Sequence, residues 1–174
     1  MKVALTGTPG TGKSTVAPLI DEGFRVLDLN ALIKDGYNLG TDPERKSVIA
    51  DLDRLDGYIE SLKGDYIIEG HVSHLLPVDR IVVLRTAPRV LRERLARRGW
   101  SKAKIDENVE AEALDVILVE ALEMTGGRGR PRNVYEINAT DMSPEEVAAA
   151  IREIIRGTDN YKPGSVDFSE ELFP

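Results

Sequence analysis

The chain has 174 residues and a formal net charge of -7, with 41% hydrophobic, 30% charged and 5% aromatic residues, the profile of one globular domain with its own core. That acidity excludes a global basic footprint for nucleic acid and leaves room only for local basic patches. With no cysteine, a disulfide framework, a thiolate nucleophile and a thiolate zinc site are excluded, so any chemistry falls to Lys, Arg, His, Asp, Glu, Ser or Thr.

The opening stretch "MKVALTGTPG" has too few apolar residues for a signal-peptide core, and no run approaches the roughly 18 apolar residues of a membrane span. A cytoplasmic protein without membrane contact is expected, found in the nucleus as well if the source is eukaryotic. The first β-rich run, "KVALTG" at 2 to 7, leads directly into "GTPGTGKS" at 7 to 14, a full match to G-x-x-x-x-G-K-[ST] between a strand and a helix-compatible stretch. Gly7, Gly10 and Gly12 permit a tight loop, with Pro9, Thr11 and Thr15 in and beside it. Its backbone N–H groups face nucleotide phosphates, and the N-terminus of the following helix adds its positive end. Lys13 reaches the β- and γ-phosphates of ATP and Ser14 ligates Mg²⁺.

Further runs follow at "FRVLDL" (24 to 29), "DYIIEG" (65 to 70), "RIVVLRT" (80 to 86) and "NVYEIN" (133 to 138). Apolar strands alternating with helical stretches predict a three-layer α/β/α P-loop fold with a parallel five-stranded sheet. "KSVIADLDRLDGYIESL" spaces Val48, Leu52, Leu55, Ile59 and Leu62 as an amphipathic helix does. Helices are also predicted over 88 to 98 and 105 to 124, and one opens at Ser143 as N-cap with Pro144 at N1 and Glu146 at N3.

Glu69 ends its run where a Mg²⁺-side acid of a P-loop enzyme stands, acting on the ion through water. Gly70 then lets the chain turn and brings His71 to the same end of the sheet, where it would position a water, bind a phosphate or hold the acid. His74 has no comparable argument and is assigned to the surface or to a supporting role. "RVLRERLARRGW" carries five arginines. Arg89 and Arg92 are read as a solvated face paired with the acidic helix that follows, whereas Arg94 and Arg98, four residues apart, share one helix face. Trp100 is either packing or part of a short lid with Gly99, Ser101 and Lys102. "GGRGRPR" at 126 to 132 is a loop connection, or a local RNA or ribosomal-protein contact through Arg128, Arg130 and Arg132. The tail after Arg156 is polar in its first half, while Tyr161, Phe168, Leu172 and Phe173 suggest docking on this chain or a partner.

A phosphate loop leaves the acceptor open among a small-molecule kinase, a GTPase switch and a mechanical ATPase. No Asn-Lys-x-Asp segment supports a GTPase, and ring ATPases use longer domains. A core like that of nucleoside-monophosphate kinases fits the length.

The segments "GTPGTGKST", "EGHVSHLLPVDRIVVLRT" and "LRERLARRGWSKAKIDENVEAE", with the Pro-Glu-Glu start of the last helix, resemble the adenylate kinase isoenzyme 6 family, in eukaryotes the coilin-interacting nuclear ATPase. That resemblance spans most of residues 1 to 155. It implies Mg²⁺- and ATP-dependent phosphoryl transfer to AMP alongside ATPase activity, with Glu69 and His71 both needed. It further implies a role in small ribosomal subunit maturation through a platform ribosomal protein. Other adenylate kinases read Asp-Gly-Phe-Pro-Arg where this chain reads Glu69-Gly70-His71-Val72-Ser73, so His71 replaces the Phe and a phosphate-binding Arg is missing. Eukaryotic members of the family usually have Asp at position 69. By the same resemblance Asn30, Lys34 and His71 bind AMP, with Lys34 where Arg is expected, Arg94 stacks on the ATP base and Arg98 neutralises the transferring phosphoryl. Asn138 and Ala139 lie against adenine through their backbone. The expected layout is one kinase domain over 1 to 156, a monophosphate-binding arm near 30 to 63, a lid near 98 to 108 and a tail from 157 to 174. Two other readings stand beside it, an assembly ATPase with incidental AMP kinase activity and a kinase for another small acceptor.

Overall fold

The computed structural model describes residues 1–43, 47–124 and 133–172. The loop arginines Arg128, Arg130 and Arg132, and Phe173 of the tail, lie outside the described residues.

All five apolar runs become parallel strands of one sheet: β1 (Lys2–Thr6), β2 (Arg25–Asp28), β5 (Tyr66–Glu69), β6 (Arg80–Arg85) and β7 (Asn133–Asn138), in the order β2-β5-β1-β6-β7. Between them stand α1 (Lys13–Val16), α2 (Leu29–Lys34), the strand pair β3 (Asn38–Asp42) and β4 (Ser47–Ala50), α3 (Leu52–Ser61), α4 (Pro88–Arg97), α5 (Lys102–Ala113), α6 (Val116–Glu123) and α7 (Pro144–Arg156). Alternation along each strand sends side chains to opposite faces. Val3, Leu5, Val82 and Leu84 pack under α7 with Val147, Ile151 and Ile154. Ala4, Ile68, Ile81 and Val83 pack on the other face with Leu55 and Ile59 of α3 and Leu118 of α6. Covering both faces is what a parallel sheet with apolar strands requires, and the three-layer architecture follows.

Three elements differ from their sequence reading. The stretch 46 to 62 is not one helix, because Ser47–Ala50 pairs antiparallel with β3 and the helix begins only at Leu52, after Asp51 caps Arg54 N. Val48 therefore sits on a strand of an exposed hairpin, not on the helix face with Leu55 and Ile59. The helix over 105 to 124 is two helices broken at Asp115, whose φ is 57°. The helix after the phosphate loop has only four residues, since Pro18 turns the chain into a 3₁₀ segment at Ala17–Leu19; without its N–H, Pro18 cannot extend the α-helical ladder. So short a helix carries little dipole, and the loop's own N–H groups must supply most of the attraction for phosphate. By contrast, α7 opens as its sequence indicates, with Ser143 and Glu146 forming a complete capping box and Pro144 in the first turn.

The tail docks on the body. Glu136 N donates to Tyr161 O (2.8 Å), Gly164 N and Ser165 N donate to Glu136 Oε2 (2.8 and 3.0 Å), and Val166 and Phe168 pack with Ala87 and Ala113. Among the described residues no helix is long and apolar enough to cross a membrane.

Candidate active site

The sheet register puts the chemistry at one edge. Leu5 pairs with Glu69, Thr6 with Val83 and Arg85 with Asn138, so the phosphate loop, Glu69-His71, Arg85-Thr86 and Asn138-Ala139 all leave the carboxyl ends of adjacent strands. Binding crevices form at that edge in open α/β sheets.

The loop is shaped by its glycines. A Cβ at Gly7 would stand 2.4 Å from Leu84 O, so no other residue lets β1 exit beside β6. Gly12 caps α1 with φ 103°, in the left-handed region that favours glycine. Lys13 is folded back into the loop, donating from Nζ to Gly7 O (2.7 Å) and Thr8 O (3.0 Å), while Thr11 Oγ1 also donates to Thr8 O (3.0 Å). Burial lowers the Lys13 pKa to about 8, against the opposing charges of Glu69 and Glu112.

Ser14 Oγ donates to Glu69 Oε1 at 3.1 Å. Glu69 is 3% exposed, and its second oxygen is buried with no hydrogen-bond partner among the described residues. Burial raises its pKa, with Ser14 and Lys13 pulling the other way. An orphaned carboxylate oxygen beside a serine hydroxyl at a phosphate loop fits Mg²⁺, which takes one or two protein oxygens and completes its shell with phosphate and water.

A cavity of about 230 Å³ opens on the loop. Gly10 to Gly12 and Thr15 form one wall, Arg94 and Arg98 a second, and Ala139, Met142 and Val147 an apolar third. Arg94 Nη1 donates to Gly10 O at 3.2 Å. Arg98 is exposed at the end of α4, and Gly99 follows with φ 74°. Arg92 pairs instead with Asp106 of α5, and Arg89 with Glu171 of the tail, which separates the two solvated arginines from the two that face the loop.

His71 is exposed after the turn at Gly70. Desolvation by the surrounding wall, then the nearby Lys13 charge, lower its pKa. His74 is 1% exposed and so is not a surface residue; it lies between Thr6 Oγ1 and Glu120 Oε2, 3.0 Å from each. Thr6 Oγ1 also donates to His71 O at 3.1 Å, so His74 supports the turn that carries His71.

Other expected residues stand further out. Asn138 turns its side-chain oxygen to Thr140, which donates to it from Oγ1 at 2.6 Å, and only Ala139 reaches the cavity wall. Asn30 is half-buried near the start of α2, and Lys34 is exposed at its end. Trp100 packs on the Leu91, Leu95, Ile105 and Val109 cluster, with Lys104 Nζ 4.3 Å from its ring centroid. Sequence reasoning missed Arg54, stacked 4.9 Å over Tyr37 beside the hairpin, and the buried Thr8, Arg85 and Glu112 beside the loop. An uninterrupted strand ending in Arg85 offered the one visible signal, since an arginine at a buried position needs acidic partners.

Comparison with known proteins agrees with this layout. A family model described as "AAA domain" matches residues 3–115. A protein of Natronomonas pharaonis named "Putative adenylate kinase" is 45% identical over 173 residues, covering 99% of this chain and all of that one. One of the same name from Archaeoglobus fulgidus is 47% identical over 177 residues, covering 99% and 94%. Among solved structures, shikimate kinase from Acinetobacter baumannii in complex with shikimate superposes with a TM-score of 0.61 at 17% identity, over 89% of this chain and 92% of that one. Deoxyadenosine kinase from M. mycoides superposes with a TM-score of 0.56 at 16% identity, over 91% and 100%. The two structural likenesses concern the fold, that of P-loop kinases. The sequence matches run the length of the chain and include the phosphate loop, so this chain belongs to the AAA-domain family and, within it, to the group of archaeal adenylate-kinase-like proteins.

Proposed function

We propose that the protein is a Mg-ATP-dependent nucleoside-monophosphate kinase with AMP as acceptor. The observation that carries this reading is the cavity in which the phosphate loop, Arg94 and Arg98 meet an apolar wall, next to the Ser14–Glu69 pair. Its chemistry is positioning and charge neutralisation, and no covalent enzyme intermediate is needed. Loop N–H groups and Lys13 hold the β- and γ-phosphates. The Lys13 ammonium is preset by two carbonyls and turns to phosphate without a search. Arg98 meets charge developing on the transferring group, and Arg94, fastened to Gly10, orients the nucleotide. Ala139, Met142 and Val147 offer the adenine an apolar bed. Ser14 and Glu69 would hold Mg²⁺, which neutralises phosphate charge when bound. The acceptor lies toward α2 and the hairpin, where Asn30, Lys34 and Arg54 supply polar and cationic groups.

A second activity, ATP hydrolysis, is favoured by one residue. His71 stands exposed at the strand end with a lowered pKa, a neutral imidazole able to take a proton from water. The resemblance to the isoenzyme 6 type adds the ribosomal-subunit role. The deciding experiment follows ADP and free phosphate from Mg-ATP alone, with each nucleoside monophosphate, and with the purified platform ribosomal protein. Strong stimulation by AMP with stoichiometric ADP and no free phosphate is expected. Free phosphate that answers only to the protein partner would replace the kinase reading with an assembly ATPase, and stimulation by another monophosphate would change the acceptor.

A further inference from the structure

Beside the phosphate loop lies a buried charge cluster to which phosphoryl transfer gives no direct task. Glu112 of α5 is 3% exposed and both its carboxylate oxygens accept hydrogen bonds. Its Oε2 accepts from Thr8 Oγ1 at 2.5 Å, its Oε1 accepts from Arg85 Nε (2.9 Å) and Thr86 N (3.0 Å), and its backbone carbonyl accepts from Arg85 Nη2 (2.8 Å). Arg85 also meets Glu136 at 2.6 Å and Asp115. One guanidinium thus faces three carboxylates, more than its own neutralisation requires.

What the extra carboxylate touches is the loop. Thr8 sits inside G-x-x-x-x-G-K-S, and Thr8 O is the carbonyl that seats both Lys13 Nζ and Thr11 Oγ1. A hydroxyl-to-carboxylate bond is short and strong. It fixes the Thr8 side chain, and with it the direction of the Thr8 carbonyl. At its other end Glu112 belongs to the helix that begins just after Gly99 and Trp100, packed along α4, which carries Arg94 and is followed by Arg98 as its C-cap.

We propose that Glu112 is a positioning residue for phosphoryl transfer: through Thr8 it sets one of the two carbonyls that hold the Lys13 ammonium, and it ties the helix that follows Trp100 to the phosphate loop. The proposal rests on the kinase reading for its rate effects, but not for its effect on nucleotide binding. Lys13 also faces Glu69 from β5, Arg98 from the end of α4 and His71 from the turn after β5.

The test uses the full-length chain with Thr8→Val, Thr8→Ser and Glu112→Gln. Measured are Mg-ADP affinity by calorimetry, kcat and KM for AMP phosphorylation, and thermal stability. Thr8→Val, which keeps the shape and removes the hydroxyl, is expected to lower kcat at least about tenfold while KM for AMP moves less than about twofold. Thr8→Ser is expected to restore most of the rate. Glu112→Gln, which weakens the bond to Thr8, is expected to lower kcat and ADP affinity in the same direction as Thr8→Val. Should Thr8→Val keep wild-type kcat and ADP affinity and lose only thermal stability, Glu112 serves the fold alone and the proposal is overturned. If Glu112→Gln does not fold, the Thr8 pair decides. If the wild type does not phosphorylate AMP, the kinase reading fails by itself, and ADP affinity in the Thr8 variants still decides the role of Glu112.

Discussion

Lys13 and His71 both have lowered pKa values, and each gives a pH limb of its own. Above pH 8 the free protein loses the Lys13 proton, and bound phosphate must restore it, so ATP binding is coupled to proton uptake there. ATP affinity is therefore expected to be flat below about pH 7 and to fall by up to about tenfold per pH unit above pH 8. Calorimetry in two buffers of different ionisation enthalpy would read the proton directly, and flat affinity through pH 9 would refute it. For His71 the sign is opposite: the proposed hydrolytic role uses the neutral ring, which is lost only as pH falls below the ordinary histidine range. His71→Gly is expected to spare ATP binding and cut turnover at least about tenfold, or about 1.4 kcal/mol of barrier. Unchanged turnover would remove His71 from the mechanism.

Among the elements, the tail is structural. Glu136 is 2% exposed and its Oε2 receives Gly164 N and Ser165 N, while the Arg85 guanidinium lies 5.4 Å from the Phe168 ring centroid. Ending the chain at Pro163 would remove those two donors and uncover the Ala87–Ala113 patch. A loss of about 2–4 kcal/mol is expected from the apolar area and the stranded carboxylate oxygen. Urea unfolding of the truncated chain would check it, an unchanged midpoint counting against the tail. The hairpin behaves differently. Leu39 is 69% exposed and Val48 and Ile49 are each over 40% exposed, so β3–β4 lacks the two-sided cover of the main sheet. Its amides are expected to exchange with solvent far faster than those of β1 and β6, and to slow when AMP and an ATP analogue are both bound. Hydrogen exchange by mass spectrometry separates the two regions, and exchange in the hairpin that ignores AMP would argue against an acceptor-binding arm.

For the molecule as a whole, the site lies where five strands end and helices from both halves converge, so nucleotide binding bears on global stability. Ligand at a hundred times its Kd adds about 2.7 kcal/mol. Mg-ATP is expected to raise the thermal midpoint, with AMP alone giving a smaller shift and Lys13→Ala abolishing the ATP effect. An equal ATP shift in Lys13→Ala would place the nucleotide elsewhere.

Much of this architecture is legible in the residues alone, because it rests on local pattern. The five strands are unbroken apolar runs, the phosphate loop is a contiguous motif, and Ser143, Pro144 and Glu146 carry their capping chemistry within four positions. Such signals survive without knowledge of neighbours. Others depend on contacts distant in sequence. Val48 obeys a helical spacing yet pairs with Thr41, since a strand partner outcompetes a periodicity that one hairpin position can share by chance. His74 becomes a buried bridge only when Glu120, 46 positions later, arrives beside it. Arg85 looks like the last residue of a strand until Glu112, Asp115 and Glu136 close around it from three elements. Sequence by itself determined the layers, the phosphate loop and the strand-end acid, all set by short-range spacing and turn chemistry. The tertiary structure decided which charges are buried together, because charge pairing across the chain depends on distances that only packing creates.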